Sequence, residues 1–295
     1  MIIVRLKGGL GNQLFQYAFG RALSERTGQS LFFDDAYFEE AKEGTVRHYE
    51  LNKFVTEVNC SIPFLIRNAI NAKHRYIRSK FLKVLSMFTP VQFFNEVHFH
   101  YDEKLLSTCR NGINYYDGYW QSPRYFNAIR SILLEELRIR LSLSPLSSSL
   151  SESIQKENAI SIHVRRGDYV FSKSANSFHG LCSLDYYQRA IELFIKEEKD
   201  VTFYVFSDDI EWVKANLKIK NRPVNYIKHT SDETNYEDLH LMSICKHHII
   251  ANSSFSWWGA WLNNYPLKRV IAPKKWFVDD SINTNDLIPI EWIRI

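Results

Sequence analysis

A chain of 295 residues has room for two domains, or for one large α/β unit, at roughly 150 residues per domain. Its 45% hydrophobic and 24% charged content excludes wholesale disorder and collagen-like repeats. With 37 basic against 33 acidic residues the net charge is only +4. That balance does not call for a nucleic-acid partner, yet it leaves a few placed cations for an anionic substrate.

The chain opens Met1-Ile2-Ile3-Val4-Arg5-Leu6-Lys7-Gly8, too short an apolar run for a signal peptide. No stretch approaches the ~18 apolar residues of a spanning helix. Cys60, Cys109, Cys182 and Cys245 lie far apart, so neither a zinc ribbon nor a disulfide framework is expected. These features predict a soluble, reduced, cytoplasmic protein. Aromatic residues reach 15%, a surplus that a large core, sugar-stacking faces, or both would use.

Taken in chain order, Ile2–Leu6 reads as a short strand and Lys7–Gly11 as a glycine-rich turn. A helix follows to about Thr27, with Leu14, Phe15, Ala18, Ala22 and Leu23 on one face. Gly28 is a plausible C-cap, and Ser30–Phe33 is extended again. Strand, tight turn, helix, strand is the opening of a parallel α/β domain. Residues 66–88 are basic and carry no acid, with apolar residues at roughly helical spacing. Such a helix could touch an anionic membrane surface; a solvated face is the plainer reading. Arg124–Leu141 reads as a helix. Ser142–Ser153, with seven serines and Pro145, reads as a linker.

After residue 150 the α/β rhythm restarts. Strands are expected at Ala159–Val164, Val201–Phe206, Val224–Ile227, His248–Ala251 and Arg269–Ala272. Helices are expected at Asp185–Glu198, Ile210–Leu217, Tyr236–Cys245 and Phe255–Asn263. The expected organisation is an N-terminal α/β domain over 1–150, a C-terminal Rossmann-like domain over 151–295, and a ligand in the cleft between them.

Three segments carry the chemistry. Gly8-Gly9-Leu10-Gly11-Asn12-Gln13 fails the dinucleotide fingerprint, because Leu14 stands where its third glycine belongs, and it is no phosphate loop. Gly9 and Gly11 still let backbone approach a ligand, and two amides follow at a helix start. Asn12 and Gln13 could equally be plain caps. In His163-Val164-Arg165-Arg166-Gly167-Asp168-Tyr169, strand alternation puts His163 and Arg165 on one face. The arginines end a strand, where open α/β sheets place ligands, and an arginine fork suits phosphate. One arginine is expected on the ligand and the other in the scaffold, pairing with Asp168. In the third segment Ser253, Ser254 and Ser256 open a Trp-rich helix, a place for phosphate or for simple caps and core. Asp238 could accept from a base edge, or be a first-turn helix charge.

Other site classes find little support. There is no HExxH, GxSxG or kinase set, and His247-His248 is out of register for one metal. No two aspartates stand two apart, so the DxD motif is missing and no metal or other cofactor is expected.

Together, these segments resemble the bacterial galactoside α-1,2-fucosyltransferase family. The resemblance rests on Gly8 through Ala18, on His163 through Tyr169, on Phe206-Ser207-Asp208-Asp209, and on Asn252 through Gly259. It implies an α/β fold of two Rossmann-like domains facing across a cleft, a GT-B-type architecture. It implies GDP-β-L-fucose as donor, O2 of a terminal galactose on a glycan as acceptor, and inversion without a metal. By the same resemblance Arg165 would bind the donor β-phosphate, His163 and Asp238 the guanine, and Ser254 the diphosphate region. Asn12 would lie near the reacting centre. His179 and Asp168 are the candidate bases, since both lie in or just after the arginine segment. An α-1,6-type fucosyltransferase and a non-catalytic sugar-nucleotide binder are the competing readings.

Overall fold

In a computed structural model of the chain, residues 1–39, 46–74, 90–107, 112–167, 180–228 and 234–295 are described. They form two compact units, Met1–Arg138 with Asn283–Leu287, and Ile139–Ile282 with Ile288–Ile295.

The first unit begins with β1 (Ile2–Arg5), α1 (Leu10–Thr27) and β2 (Leu31–Asp34). α2 (Phe64–His74), β3 (Val91–Asn95), α3 (Glu103–Ser107), β4 (Ile113–Asp117) and α4 (Arg130–Glu136) follow. The sheet is parallel throughout, in the order β2-β1-β4-β3. β1 is central and buried, so both of its faces are apolar. Ile3 and Tyr115 pack with Ile62 and with Ile70 of α2 on one side. On the other side α1 lies so close that a Cβ at Gly20 would come within 2.9 Å of Val4. Much of the aromatic surplus is core here: Phe15, Phe19, Tyr116, Trp120 and Phe126 are buried.

The second unit holds α5 (Pro145–Lys156), β5 (Asn158–Val164), α6 (Leu184–Glu197), β6 (Val201–Ser207), α7 (Ile210–Asn216) and β7 (Val224–Lys228). It continues with α8 (Asn235–Ile244), β8 (His247–Ile249), α9 (Ser254–Leu262), β9 (Val270–Ala272) and β10 (Ile293–Arg294). Six parallel strands run in the order β10-β9-β8-β5-β6-β7. Ile160, Ile162 and Val164 pack against Tyr187, Ala190, Ile191 and Phe194 of α6 and Val213 of α7. Each such fully buried large side chain contributes about 1.5–3 kcal/mol. Ser161 and His163 face the opposite side, as strand alternation requires.

The α/β fold class stands, and several expected elements change. The serine-rich stretch is no linker. Ser144 caps α5 by accepting from Ser147 N–H, Pro145 fills the first turn, and Ser147, Ser151 and Ile154 turn inward. Serine next to proline signals a helix start as well as a break. Arg124–Leu141 is not one helix: two 3-10 turns, Pro123–Tyr125 and Asn127–Ile129, lead into the short α4. Of the basic stretch 66–88, residues 66–74 belong to α2, whose Ile70 is core; residues 75–88 lie outside the described residues. No helix among the described residues is long and apolar enough to cross a membrane.

Candidate active site

In an open parallel sheet the ligand crevice lies at the carboxyl ends of the strands, where neighbouring strands send their connections opposite ways. In the second unit that point falls between β5 and β8, because β5, β6 and β7 proceed one way and β8, β9 and β10 the other. The β5 side supplies the arginine segment, and the β8 side supplies Asn252, Ser253 and α9. The two sides meet where the His163 and Phe255 rings stand 5.7 Å apart. His163 is buried in the strand, and its carbonyl accepts from Tyr187 Oη at 3.1 Å.

The two arginines are held differently. Arg166 leaves β5 on the Val164 side. Its guanidinium lies 3.5 Å from the Trp212 ring centre, and Nε donates to Asp209 Oδ2 at 3.3 Å. Arg165 Nη1 stands 2.9 Å from Asp208 Oδ2, without the alignment of a hydrogen bond. The acids themselves are fixed by the turn after β6. Ser207 Oγ donates to Val164 O at 2.8 Å, Arg166 N–H donates to Asp208 Oδ1 at 2.9 Å, and Asp209 Oδ1 caps α7 through Trp212 N–H. Arg166 is therefore packed into the scaffold on Trp212, while Arg165 pairs with Asp208 at the sheet edge.

Across the crevice, Ser253 is the N-cap of α9 and makes no side-chain capping bond. A helix start without such a cap keeps backbone N–H donors and the positive dipole end for an anion. Ser254 lies half-buried in the first turn. Ser256 is turned inward, its Oγ donating to Ala251 O and Ser253 O at 3.4 and 3.3 Å. Trp257, Trp258 and Trp261 are buried core. Asp238 sits in the first turn of α8, which starts on the same edge of the sheet because it follows β7. Its neighbour Glu237 accepts from Ser144 N–H and from the hydroxyls of Ser144 and Ser147, at 2.9, 2.8 and 2.5 Å. Burial would raise the Glu237 carboxyl, but the bonds from Ser147 and Ser144 outweigh it and hold the group below the usual carboxylate range. Asp168 and His179 lie outside the described residues.

The first unit has its own switch point, between β1 and β4. Gly8 takes φ +79°, and a Cβ there would meet Asn12 Nδ2 at 2.6 Å. Gly9 is the N-cap of α1, and Gly11 is buried in its first turn. Asn12 Oδ1 accepts from Gln121 Nε2 at 2.8 Å. Gln13 is wholly committed: it donates to Gly8 O and His48 O and accepts from Glu50 N–H. Gln16 joins Lys7 to Gly118 O. Asp117 holds Lys7 at 2.6 Å and Arg5 at 3.0 Å. Burial pushes the Asp117 carboxyl up, but these two cations leave it lower than usual. Among the described residues no three His, Cys, Asp or Glu side chains are grouped to hold a metal.

Against known proteins, the sequence pattern of glycosyl transferase family 11 matches residues 1–295. The chain belongs to glycosyl transferase family 11. An α-1,2-colitosyltransferase of Escherichia coli is 38% identical to it, covering 100% of this chain and 99% of the relative. The Escherichia coli O-antigen biosynthesis glycosyltransferase WbnK is 33% identical, covering 98% and 99%. A mouse galactoside α-(1,2)-fucosyltransferase 1 is 24% identical, covering 96% and 73%. Among solved structures, Arabidopsis thaliana FUT1, a point variant in complex with GDP, aligns with a TM-score of 0.50 at 13% identity, covering 95% and 73%. That likeness is one of fold, and it agrees with the two parallel α/β units.

The candidate site contains partners to which the sequence motifs alone assign no role. Asp208, Asp209 and Trp212 fix the arginines, and Glu237 ties α8 to α5. Two adjacent acids directly after a strand were the available signal. Their pairing with the segment after β5 needed the strand order, because β6 lies beside β5.

Proposed function

We propose that this family 11 glycosyltransferase transfers L-fucose from GDP-β-L-fucose to O2 of a terminal galactose on a surface glycan, with inversion to an α-1,2 linkage. One observation carries the reading: Arg165 and the N-terminus of α9 flank the same switch point. Both features favour an anion, and a nucleoside diphosphate is the anion that a GDP-sugar transferase must hold and expel.

In this reading Arg165 exchanges its ion pair with Asp208 for the β-phosphate and stabilises charge as GDP leaves. Ser253, Ser254 and the first N–H groups of α9 take the other part of the diphosphate. His163 and Asp238 hold the guanine. The galactose O2 hydroxyl attacks C1 on the face opposite GDP, through an oxocarbenium-like state. His179 or Asp168 takes the proton. Arginine and helix dipole neutralise the leaving group, so no metal is required, and EDTA is expected to leave the rate nearly unchanged. A loss of more than about tenfold, restored by Mn²⁺, would contradict this; it corresponds to about 1.4 kcal/mol of barrier. Contact of the basic stretch 66–88 with a membrane surface is a further part of the proposal, tested by sedimentation with anionic vesicles.

A second donor is favoured by the 38% identical α-1,2-colitosyltransferase. Colitose is the 3-deoxy analogue of L-fucose, so the same diphosphate site serves either sugar. The deciding experiment offers GDP-fucose and GDP-colitose with β-galactosides, reads products by mass spectrometry, and places the linkage by methylation analysis. A kcat/KM for GDP-colitose exceeding that for GDP-fucose overturns the fucose assignment; a 6-O product overturns the linkage.

A further inference from the structure

The loop after β4 is strained, and the strain has a holder. Trp120 lies in the left-handed region at φ +55°, where a bulky residue stays only when its surroundings force it. The Phe19 ring stacks on the indole at 4.3 Å, 9° from parallel. Position 118 must be glycine, because a Cβ there would stand 2.5 Å from Glu96 Cβ and 2.7 Å from the Trp120 ring. Glu96, just beyond β3, grips two successive backbone groups. Tyr119 N–H donates to its Oε2 at 2.6 Å and Trp120 N–H donates to its Oε1 at 2.9 Å. The next residue, Gln121, is the one whose amide donates to Asn12.

We propose that Glu96 is a positioning residue for sugar transfer: its carboxylate fixes the left-handed Trp120 and, through Gln121, orients the Asn12 amide. The proposal rests on the fucosyl-transfer reading and on the family resemblance, which implies that Asn12 lies near the reacting centre. Both carboxylate oxygens are used, so the grip needs the ionised form. A protonated carboxyl presents an O–H where one of the two backbone N–H groups was received.

The charge state of Glu96 is poised. Burial raises its carboxyl to about 7, against the Tyr119 and Trp120 N–H groups and Lys7, which lower it; Asp117 adds to the rise. The groups facing it are thus Lys7 from the β1–α1 turn, Asp117 at the end of β4, and the phenols of Tyr119 and Tyr125. Lowering the pH through about 7 loosens the grip, so kcat falls on the acid side. Stability moves the other way. A carboxyl whose folded pKa is raised binds its proton more tightly in the folded state, so this group stabilises the fold as pH falls from about 7 toward its ordinary value. A loss of kcat on acidification is therefore not a loss of folding caused by Glu96.

The test compares wild type, Glu96→Gln, Gln121→Ala and the double variant, using whichever GDP-sugar the wild type accepts. It measures kcat, donor KM and thermal melts from pH 5.5 to 9. We expect Glu96→Gln to lower kcat about tenfold at pH 8, a displacement-sized effect, with donor KM within about twofold. The part of the acid limb near pH 7 that Glu96 sets should vanish, leaving that of the general base alone. Gln121→Ala should do the same, and the double variant should be no worse than either. A folded Glu96→Gln with kcat within about twofold of wild type, or a wild-type kcat flat across pH 6 to 8, overturns the positioning role alone. If Glu96→Gln does not fold, Gln121→Ala decides: wild-type kcat overturns the proposal, and a lowered kcat without the Glu96 part of the limb supports it. A wild type inert with both donors overturns the donor reading and this one with it.

Discussion

The two units share a parallel α/β architecture but not a strand order, and their strand ends differ in chemistry. Each is a parallel sheet with a switch point, β1/β4 in the first unit and β5/β8 in the second. The second is built around charge: two arginines, two aspartates and a helix start without a side-chain cap. The first is built around amides. Gln13, Gln16, Gln121 and Asn12 join one another and the backbone, and its Asp117 is already paired with Lys7 and Arg5. Parallel α/β topology thus fixes where a ligand can lie, and the side chains after each strand set what it can be. The charged edge suits a diphosphate. The amide edge suits neutral hydroxyls.

The largest expected effect attacks the charged edge directly. Arg165→Lys keeps the charge and loses the planar fork, so kcat should fall at least about 10²-fold with a smaller change in donor KM. A near-wild-type kcat would mean that this edge is not where leaving-group charge is met.

Next in size is Ser253→Asp, which separates stability from binding. An N-cap carboxylate stabilises α9 through its dipole, so the melting temperature should hold or rise. The same charge repels a diphosphate, and the Kd for GDP should rise at least about tenfold, about 1.4 kcal/mol. Unchanged GDP affinity by calorimetry would place the anion elsewhere.

Arg166→Lys is expected to act on the scaffold instead. It weakens the stack on Trp212 and the bond to Asp209, costing about 0.5–2 kcal/mol in chemical denaturation. If Arg166→Lys is inactive but stably folded while Arg165→Lys works, the two arginines have exchanged roles.

The smallest effect concerns Glu237, at the α8–α5 contact rather than at either edge. Its folded pKa is depressed below 4.5. Its contribution is therefore present above that pH and is lost as pH falls through the folded value. Glu237→Gln should cost about 1 kcal/mol at pH 7 and flatten the acid side of the stability profile. Stability at pH 7 equal to wild type would show that the charge adds nothing to this contact. Glu96 has the opposite linkage, so the two variants should bend the stability profile in opposite senses.

The parallel α/β class, the strand that ends in the arginines and the family are all legible without coordinates, because apolar periodicity and local motifs are properties of neighbouring residues. His163 and Val164 could be assigned to opposite faces of β5 from alternation alone. Other features needed the tertiary structure. β3 and β4 lie where no motif marks them, and only the pairing of β4 with β1 makes Asp117 and Gln121 neighbours of Lys7 and Asn12. The serine-rich stretch has linker composition, but its small side chains let α5 close on α8, where Glu237 receives their hydroxyls. Asp208 became the partner of Arg165 because β6 is hydrogen-bonded to β5, 43 positions away at Val164 and Ser207. Pairing across such a separation is selected by burial of the whole sheet, and no local pattern encodes it.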